Sequence, residues 1–351
     1  MLEGRVGGYG PVPCFPAAGC RGRTCGDRTS IVGARLRVGR PGVVSDAQAE
    51  AFLTGRFGRD VSAVSRIGRG EWSKAYIFRR ADMEYVVRFS PFREDFAKDH
   101  LAARYGSRDL PIPRILEIGE AFGGFYAISE RAPGEYLDDL DEARMRLVLP
   151  AIFAAIDAAH QVDLSAAVGY GVWGADGTAP HPTWRAALLD VANDRPTART
   201  HAWRERLAAS PTGLRPFEEA YGHLRALVDS CPEERHLIHG DLLNSNVLVS
   251  GARITAVLDW GCSMYGDFLY DLAWFCFWSP WYPAWRAIDF GREATRHYAS
   301  IGLDVHRFEE RLRCYQVHIG LDAQAYNAFK VRWAELERTA KRTLEVARPG
   351  R

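Results

Sequence analysis

Lysine is nearly missing from this 351-residue chain: of 45 basic residues, only Lys74, Lys98, Lys330 and Lys341 are not arginine. Any role that needs a compact ammonium must fall on one of these positions. No uncharged apolar run reaches the length of about 18 residues that a membrane-spanning helix requires, so no membrane partner is expected. The first 25 residues lack the apolar stretch of a secretion signal, and the expected location is cytoplasmic. The seven cysteines, at 14, 20, 25, 231, 262, 276 and 314, contain no C-x-x-C pair. That spacing disfavours a sulfur-held metal, and the odd count reads as free, partly buried thiols rather than a disulfide framework. No G-x-S-x-G elbow occurs, which removes the serine-hydrolase class. His160, His236 and His318 have no metal-ligand spacing and are read as structural.

What is present is apolar content of 47%, enough for sizeable cores, and a length that suits two lobes. Net charge is +1 but uneven: residues 1–45 carry seven Arg against Glu3 and Asp27, a surplus of +5, which leaves the remainder at −4. A mildly acidic body argues against a nucleic-acid partner and suits a small cationic substrate; a monomer is expected. Residues 1–45, rich in Gly, Pro and Arg without apolar periodicity, read as a disordered tail. Ser45-Asp46 then opens a capped helix, AQAEAFLTGRF.

From Val61 the pattern turns to strands: SRIGRGEWSKAYIFRR predicts two strands around a glycine turn, and EYVVRFSP at 84–91 a third. A helix over Arg93 to Tyr105 precedes two more strands, LPIPRILEIGEA and GGFYAISERA, divided at Gly123-Gly124. Residues 46–132 thus form a small antiparallel lobe. After Pro133-Gly134 the signal is helical over 141–161, 183–192 and 211–230, the last entered by Pro211 or Pro216. A further helix starts at Gly266-Asp267, and 284–345 is helical and amphipathic, giving a larger lobe over 133–345. The expected class is α+β.

The helical lobe is interrupted by His236 to Trp260, HLIHGDLLNSNVLVSGARITAVLDW. Asp241 and Asn246 stand in D-x-x-x-x-N spacing, the pattern of a phosphoryl-transfer loop in which the Asp accepts a hydroxyl proton and the Asn oxygen holds magnesium. A turn residue with a left-handed Asn is the bland alternative. The continuation favours the chemistry, because a hairpin delivers a second carboxylate, Asp259, to a strand end just before Gly261. One carboxylate, one amide and phosphate oxygens satisfy magnesium, which keeps several waters.

On these residues the chain resembles the aminoglycoside phosphotransferase branch of the protein-kinase-like fold, most nearly the hygromycin B kinases. LPIPRILEIGE, TWR at 183–185, CPEERHLIHGDLLNSNVL, RITAVLDW, FWSPW and HIGLD carry the likeness, in order, from about 46 to about 325. The resemblance implies a two-lobed fold, Asp241 as catalytic base, Asn246 and Asp259 as magnesium ligands, and ATP or GTP as phosphoryl donor. It places Arg88, in YVVRF, where such folds carry a lysine on the nucleotide phosphates, with Asp99 as its carboxylate partner. The Gly68–Ser73 turn would cover the phosphates with backbone amides and the Ser73 hydroxyl, and backbone groups of Ser129 and Arg131 would meet the adenine edge.

Two features remain for the acceptor. Asp267 reads as a helix cap that steadies the catalytic loop, whereas Asp271 is a candidate for substrate ammonium groups. Trp278 and Trp281 are candidates for a wall against sugar rings, with core packing as the alternative. The expected activity is transfer of the γ-phosphoryl group of ATP to a hydroxyl of an aminoglycoside, hygromycin B first, giving resistance. A kinase of another small alcohol, or a nucleotide-binding module without turnover, are the competing readings.

Overall fold

The computed structural model describes residues 44–67 and 72–348. The expectations for residues 1–43 and for the turn at 68–71 therefore lie outside the described residues. Helix α1 (Asp46–Phe57) starts in a reciprocal capping box: Ser45 accepts the Gln48 amide hydrogen while the Gln48 side chain accepts that of Ser45. Val44 was assigned to the tail but belongs to the fold. It is fully buried, and its carbonyl accepts from Lys74 Nζ at 2.9 Å and Tyr76 OH at 3.1 Å.

Strands β1 (Val61–Ile67), β2 (Lys74–Arg80) and β3 (Met83–Ser90) precede helix α2 (Arg93–Ala102); β4 (Ile115–Ala121) and β5 (Gly124–Glu130) follow. They pair antiparallel in the order β1-β2-β3-β5-β4. The β4–β5 turn falls on Phe122-Gly123, one residue earlier than expected, and both residues have positive φ, as a tight hairpin of right-handed twist demands. Alternation along β3 decides what each face meets. Val87 and Phe89 join Ala49 and Leu53 of α1 in one core, so Arg88, between them, projects to the opposite face where α2 packs.

Beyond β5, the chain runs through β6 (Glu135–Tyr136), α3 (Glu142–His160), β7 (Gly171–Val172), α4 (Trp184–Leu189), α5 (Trp203–Ala209) and α6 (Arg215–Leu227). Helix α6 is entered by Pro216 in its first turn, which leaves Pro211 outside. Then come β8 (His236–Ile238), β9 (Val247–Ser250), β10 (Arg253–Val257), β11 (Met264–Gly266), α7 (Leu269–Trp278), α8 (Phe290–Ser300), α9 (Phe308–Phe329) and α10 (Trp333–Ala347). Two short sheets, β10-β9-β6 and β7-β11-β8, hold the loops between these strands at one end of the helical core. Helix α9 is buried on most of its surface, with Arg311, His318, Gln324 and Asn327 among its buried residues.

Among the described residues, no helix is long and apolar enough to cross a membrane. Cys231, Cys276 and Cys314 are free thiols, as expected, but Cys262 is disulfide-bonded, against expectation.

Candidate active site

Strand β8 delivers the chain into His239-Gly240-Asp241, and the amides of all three residues are bonded. His239 Nδ1 accepts the Asp241 amide hydrogen (3.1 Å), and Nε2 lies 2.8 Å from the Leu258 carbonyl, to which it donates. Burial pushes the imidazole down to about 4, so it is neutral and this tautomer is the one the two bonds require. Gly240 has φ of +76°, and a Cβ there would sit 2.9 Å from the Cys262 carbonyl oxygen, so only glycine fits. Asp271 reaches back from α7 to accept the amide hydrogens of His239 (2.9 Å) and Gly240 (2.8 Å).

Asp241 is 6% exposed. Its Oδ1 accepts from Asn244 Nδ2 at 2.6 Å, and its Oδ2 accepts from Asn246 Nδ2 at 3.1 Å. Asn244 and Ser245 are successive left-handed residues, the tight path that brings both amides onto one carboxylate. Burial, then the Asp259 charge, raise the Asp241 carboxyl well above the ordinary carboxylate range, while the two amides oppose that shift. A carboxylate with raised proton affinity, held in one rotamer, suits a general base.

The β9–β10 hairpin extends past its strands when the Leu258 amide donates to the Asn246 carbonyl at 2.7 Å. That bond sets Asn246 and Asp259 at the same end. Asp259 is itself left-handed, with φ of 59°. Crowding by protein and repulsion from Asp99 push its carboxyl up to about 6, with Arg88 opposing; because the side chain is solvent-exposed at the surface, screening tempers that shift. Among the described residues, no group of three or more His, Cys, Asp or Glu gathers as a metal cage. The Asn246 nitrogen is committed to Asp241, which leaves its oxygen, with the open Asp259 carboxylate, as hard oxygen donors of the type magnesium takes.

Arg88 forms an ion pair with Asp99 of α2 and lies 5.1 Å from the Phe96 ring. Burial works against the guanidinium charge, but Asp99 and then Asp259 more than offset it, so Arg88 stays fully charged. The other Asp99 oxygen accepts the Trp260 amide hydrogen at 2.8 Å. One carboxylate therefore joins the candidate phosphate-holding arginine to the backbone beside Asp259. Ser73 is half-buried just before β2.

Other expectations need correction. Asp271 is 3% exposed with both oxygens bonded to the catalytic loop, so it has nothing to offer an ammonium group. It does the steadying that was assigned to Asp267. Asp267 accepts nothing from the loop: it is fully buried and accepts from Arg311 at 2.7 and 2.8 Å and from Tyr315, besides the Leu269 amide at 3.2 Å. Trp278 (2% exposed) and Trp281 (8%) are core, packed on each other and on Phe277, and Trp281 Nε1 donates to Glu335. The Arg131 amide donates to the Glu84 carbonyl, and Ser129 is paired to Val86 on one side and Ile115 on the other. The Arg131 amide is thus taken up by the sheet, and Ser129 lies within it rather than beyond its edge.

Several contributors were not singled out from the sequence: His239, Asn244, Lys98 and a cavity of about 720 Å³ beside the catalytic loop. Glu94, Asp176, Asp190 and Asp322 line it, with Trp184 as one apolar wall and Met264, whose Cε approaches Gly240, between it and the loop. Asp190 is engaged by Arg195 and Asn193. Asp322 forms no hydrogen bond or ion pair among the described residues, and burial alone raises its carboxyl well above the usual range. The HIGLD segment carried Asp322, but only α9's packing turns it toward a cavity.

Residues 63–307 match the phosphotransferase enzyme family. The chain is 34% identical over 275 residues to hygromycin-B 4-O-kinase of Escherichia coli, covering 78% of this chain and 76% of that protein. Among solved structures it resembles aminoglycoside phosphotransferase APH(4)-Ia, with a TM-score of 0.76 at 31% identity, covering 88% of this chain and all of that one. A thermostable mutant of the same enzyme, in ternary complex with AMP-PNP and hygromycin B, gives a TM-score of 0.74 at 32% identity over 85% of this chain and 97% of that one. The small antiparallel lobe and larger helical lobe are those of the protein-kinase-like fold, and the chain belongs to the phosphotransferase enzyme family.

Proposed function

We propose that this protein transfers the γ-phosphoryl group of ATP to a hydroxyl of hygromycin B or a closely related aminoglycoside, and so confers resistance. The observation that carries the reading is Asp241, fixed by two amide side chains beside the Asn246–Asp259 pair. The likeness to hygromycin-B 4-O-kinase supports the choice of acceptor.

In this reading Asp241 orients the acceptor hydroxyl and takes its proton as the oxygen attacks the γ-phosphorus, while the bond from that phosphorus to the β,γ-bridging oxygen breaks and ADP leaves. Asn244 and Asn246 keep the carboxylate aimed and limit its rotation. Arg88, steadied by Asp99, meets the nucleotide phosphates with a forked donor in place of an ammonium. Asn246 and Asp259 would hold magnesium, which when bound would offset the charge of the phosphate oxygens. Residues 46–132 are the nucleotide-binding lobe and 133–345 the catalytic and acceptor lobe.

The cavity, lined by four carboxylates together with Arg93 and Arg195, is the acceptor side. Its volume suits a drug-sized ligand, and among the described residues Asp322 has no cationic partner, which a protonated amine would supply. It replaces Asp271, Trp278 and Trp281 in that role. Expression of the full chain in bacteria, with Asp241→Ala as control, tests the whole reading: protection from hygromycin B by the parent alone supports it. ATP consumption confined to macrolides or simple amino alcohols across an acceptor panel overturns the acceptor assignment.

A further inference from the structure

Lys98 is 1% exposed, on α2 between the two lobes. Its Nζ donates to the Gly261 carbonyl at 2.7 Å and to the Ser263 carbonyl at 3.4 Å, and it lies 4.6 Å from the centre of the Trp173 ring. Burying an ammonium is costly unless its donors are used, and here burial lowers the group to about 7 against support from Asp95, Glu94 and Asp99. Apolar residues fill such a position at less cost, so the retained donor needs a reason.

The reason lies in the loop it holds. Asp259 adopts a left-handed backbone, a conformation that costs a non-glycine residue on the order of 1 kcal/mol or more and persists only where its surroundings enforce it. The enforcement comes from two consecutive residues of α2. Asp99 accepts the amide hydrogen of Trp260, while Lys98 donates to the carbonyls of Gly261 and Ser263. Opposite charges one residue apart thus grip the donors and acceptors of the same short loop. Because Asp99 also pairs with Arg88, the grip couples the arginine to the Asp259 carboxylate.

We infer that Lys98 is a positioning residue for the phosphoryl-transfer site: it holds the 259–263 loop so that the Asp259 carboxylate is preorganised for the magnesium–nucleotide complex. This rests on the reading of Asp259 as a magnesium ligand. Partners that orient a metal ligand are worth roughly 10–100-fold in metal affinity. Lys98→Met keeps the length and fills the space while deleting the donor; Lys98→Gln keeps a neutral donor.

The test is calorimetric binding of ATP to the full chain, with and without magnesium, alongside thermal denaturation of each variant. The expected result is a roughly 10–100-fold loss of magnesium-dependent ATP affinity in Lys98→Met. Lys98→Gln should lie between it and the parent, ATP binding without magnesium should be little changed, and KM for the acceptor should stay within about twofold. Magnesium-dependent affinity equal to the parent's in a folded Lys98→Met overturns the inference. So does equal loss with and without magnesium, which marks a merely structural lysine. If Lys98→Met does not fold, Lys98→Gln decides alone, by whether its loss is magnesium-dependent. A parent chain that binds no nucleotide overturns the proposed function instead, so the two failures are distinct.

Discussion

Asp271 and Gly240 stand 2.8 Å apart, carboxylate oxygen to amide nitrogen, with the His239 amide bonded to the other oxygen of the same carboxylate. The catalytic turn is thus shaped by an acid on the helix that follows it. Conversion to Asn leaves one acceptor for two buried amides, and an unmet buried donor costs about 1–3 kcal/mol. Asp271→Asn should therefore lose both stability and kcat.

The same pair predicts a pH dependence. Burial pushes Asp271 up to about 6 from its ordinary 3.8, despite the two amide bonds. Between these values the folded protein holds a proton that the unfolded chain releases, so this group makes stability fall as pH rises, with the loss complete above about pH 6. The stability of the parent relative to Asp271→Asn should drop by roughly 2–3 kcal/mol from about pH 4 to pH 6 and then level off. A difference that is flat or rising across that window, measured by chemical denaturation, shows that the carboxyl is not raised.

Asp241→Asn removes the base while keeping the shape. The kcat for phosphoryl transfer should fall by about 10²–10⁴, with KM for ATP little changed. Steady-state kinetics at saturating magnesium give the answer, and a parental kcat would remove Asp241 from the chemistry.

Arg88→Met leaves Asp99 without its cation in a crowded, acidic setting. Breaking a buried pair from one side costs on the order of 3–5 kcal/mol. Adding Asp99→Asn should recover much of the loss in melting temperature, since Asn still accepts the Trp260 amide hydrogen, but not the nucleotide affinity. Recovery of both would mean that Arg88 serves Asp99 alone.

Asp322→Asn tests the acceptor cavity. A lost hydrogen bond to a charged partner is worth about 1.5–3 kcal/mol, so KM for hygromycin B should rise roughly 10–100-fold while KM for ATP holds. Trp278→Phe, in the core, should lower the melting temperature without raising either KM. The opposite pattern would return the tryptophan to the acceptor wall.

How far the sequence reached varied with the range of the interaction. The lobes, the strands around Arg88 and the Asp241–Asn246–Asp259 set were legible because their signals are local: alternation, turn residues and fixed spacing. The Arg88–Asp99 pair followed from a strand and the helix after it. Residues that act by burial were misread. Asp267 and Asp271 sit one turn apart and look interchangeable, yet one meets Arg311 and Tyr315 and the other meets the catalytic loop. Trp278 and Trp281 carry the same chemistry in a wall or a core, and only packing against Phe277 and Glu335 tells which.

By itself, then, the sequence determined the α+β class, the two-lobed order and the candidate site residues Asp241, Asn246 and Asp259, because phosphoryl transfer demands particular side chains at short spacings. Tertiary structure alone decided the supports. Lys98 reaches a loop more than 160 positions away, Asp322 lines a cavity only because α9 borders it, and His239 is neutral because the fold buries it. Such roles depend on which distant backbone groups a side chain meets and how much water is left around it, and no local pattern encodes either.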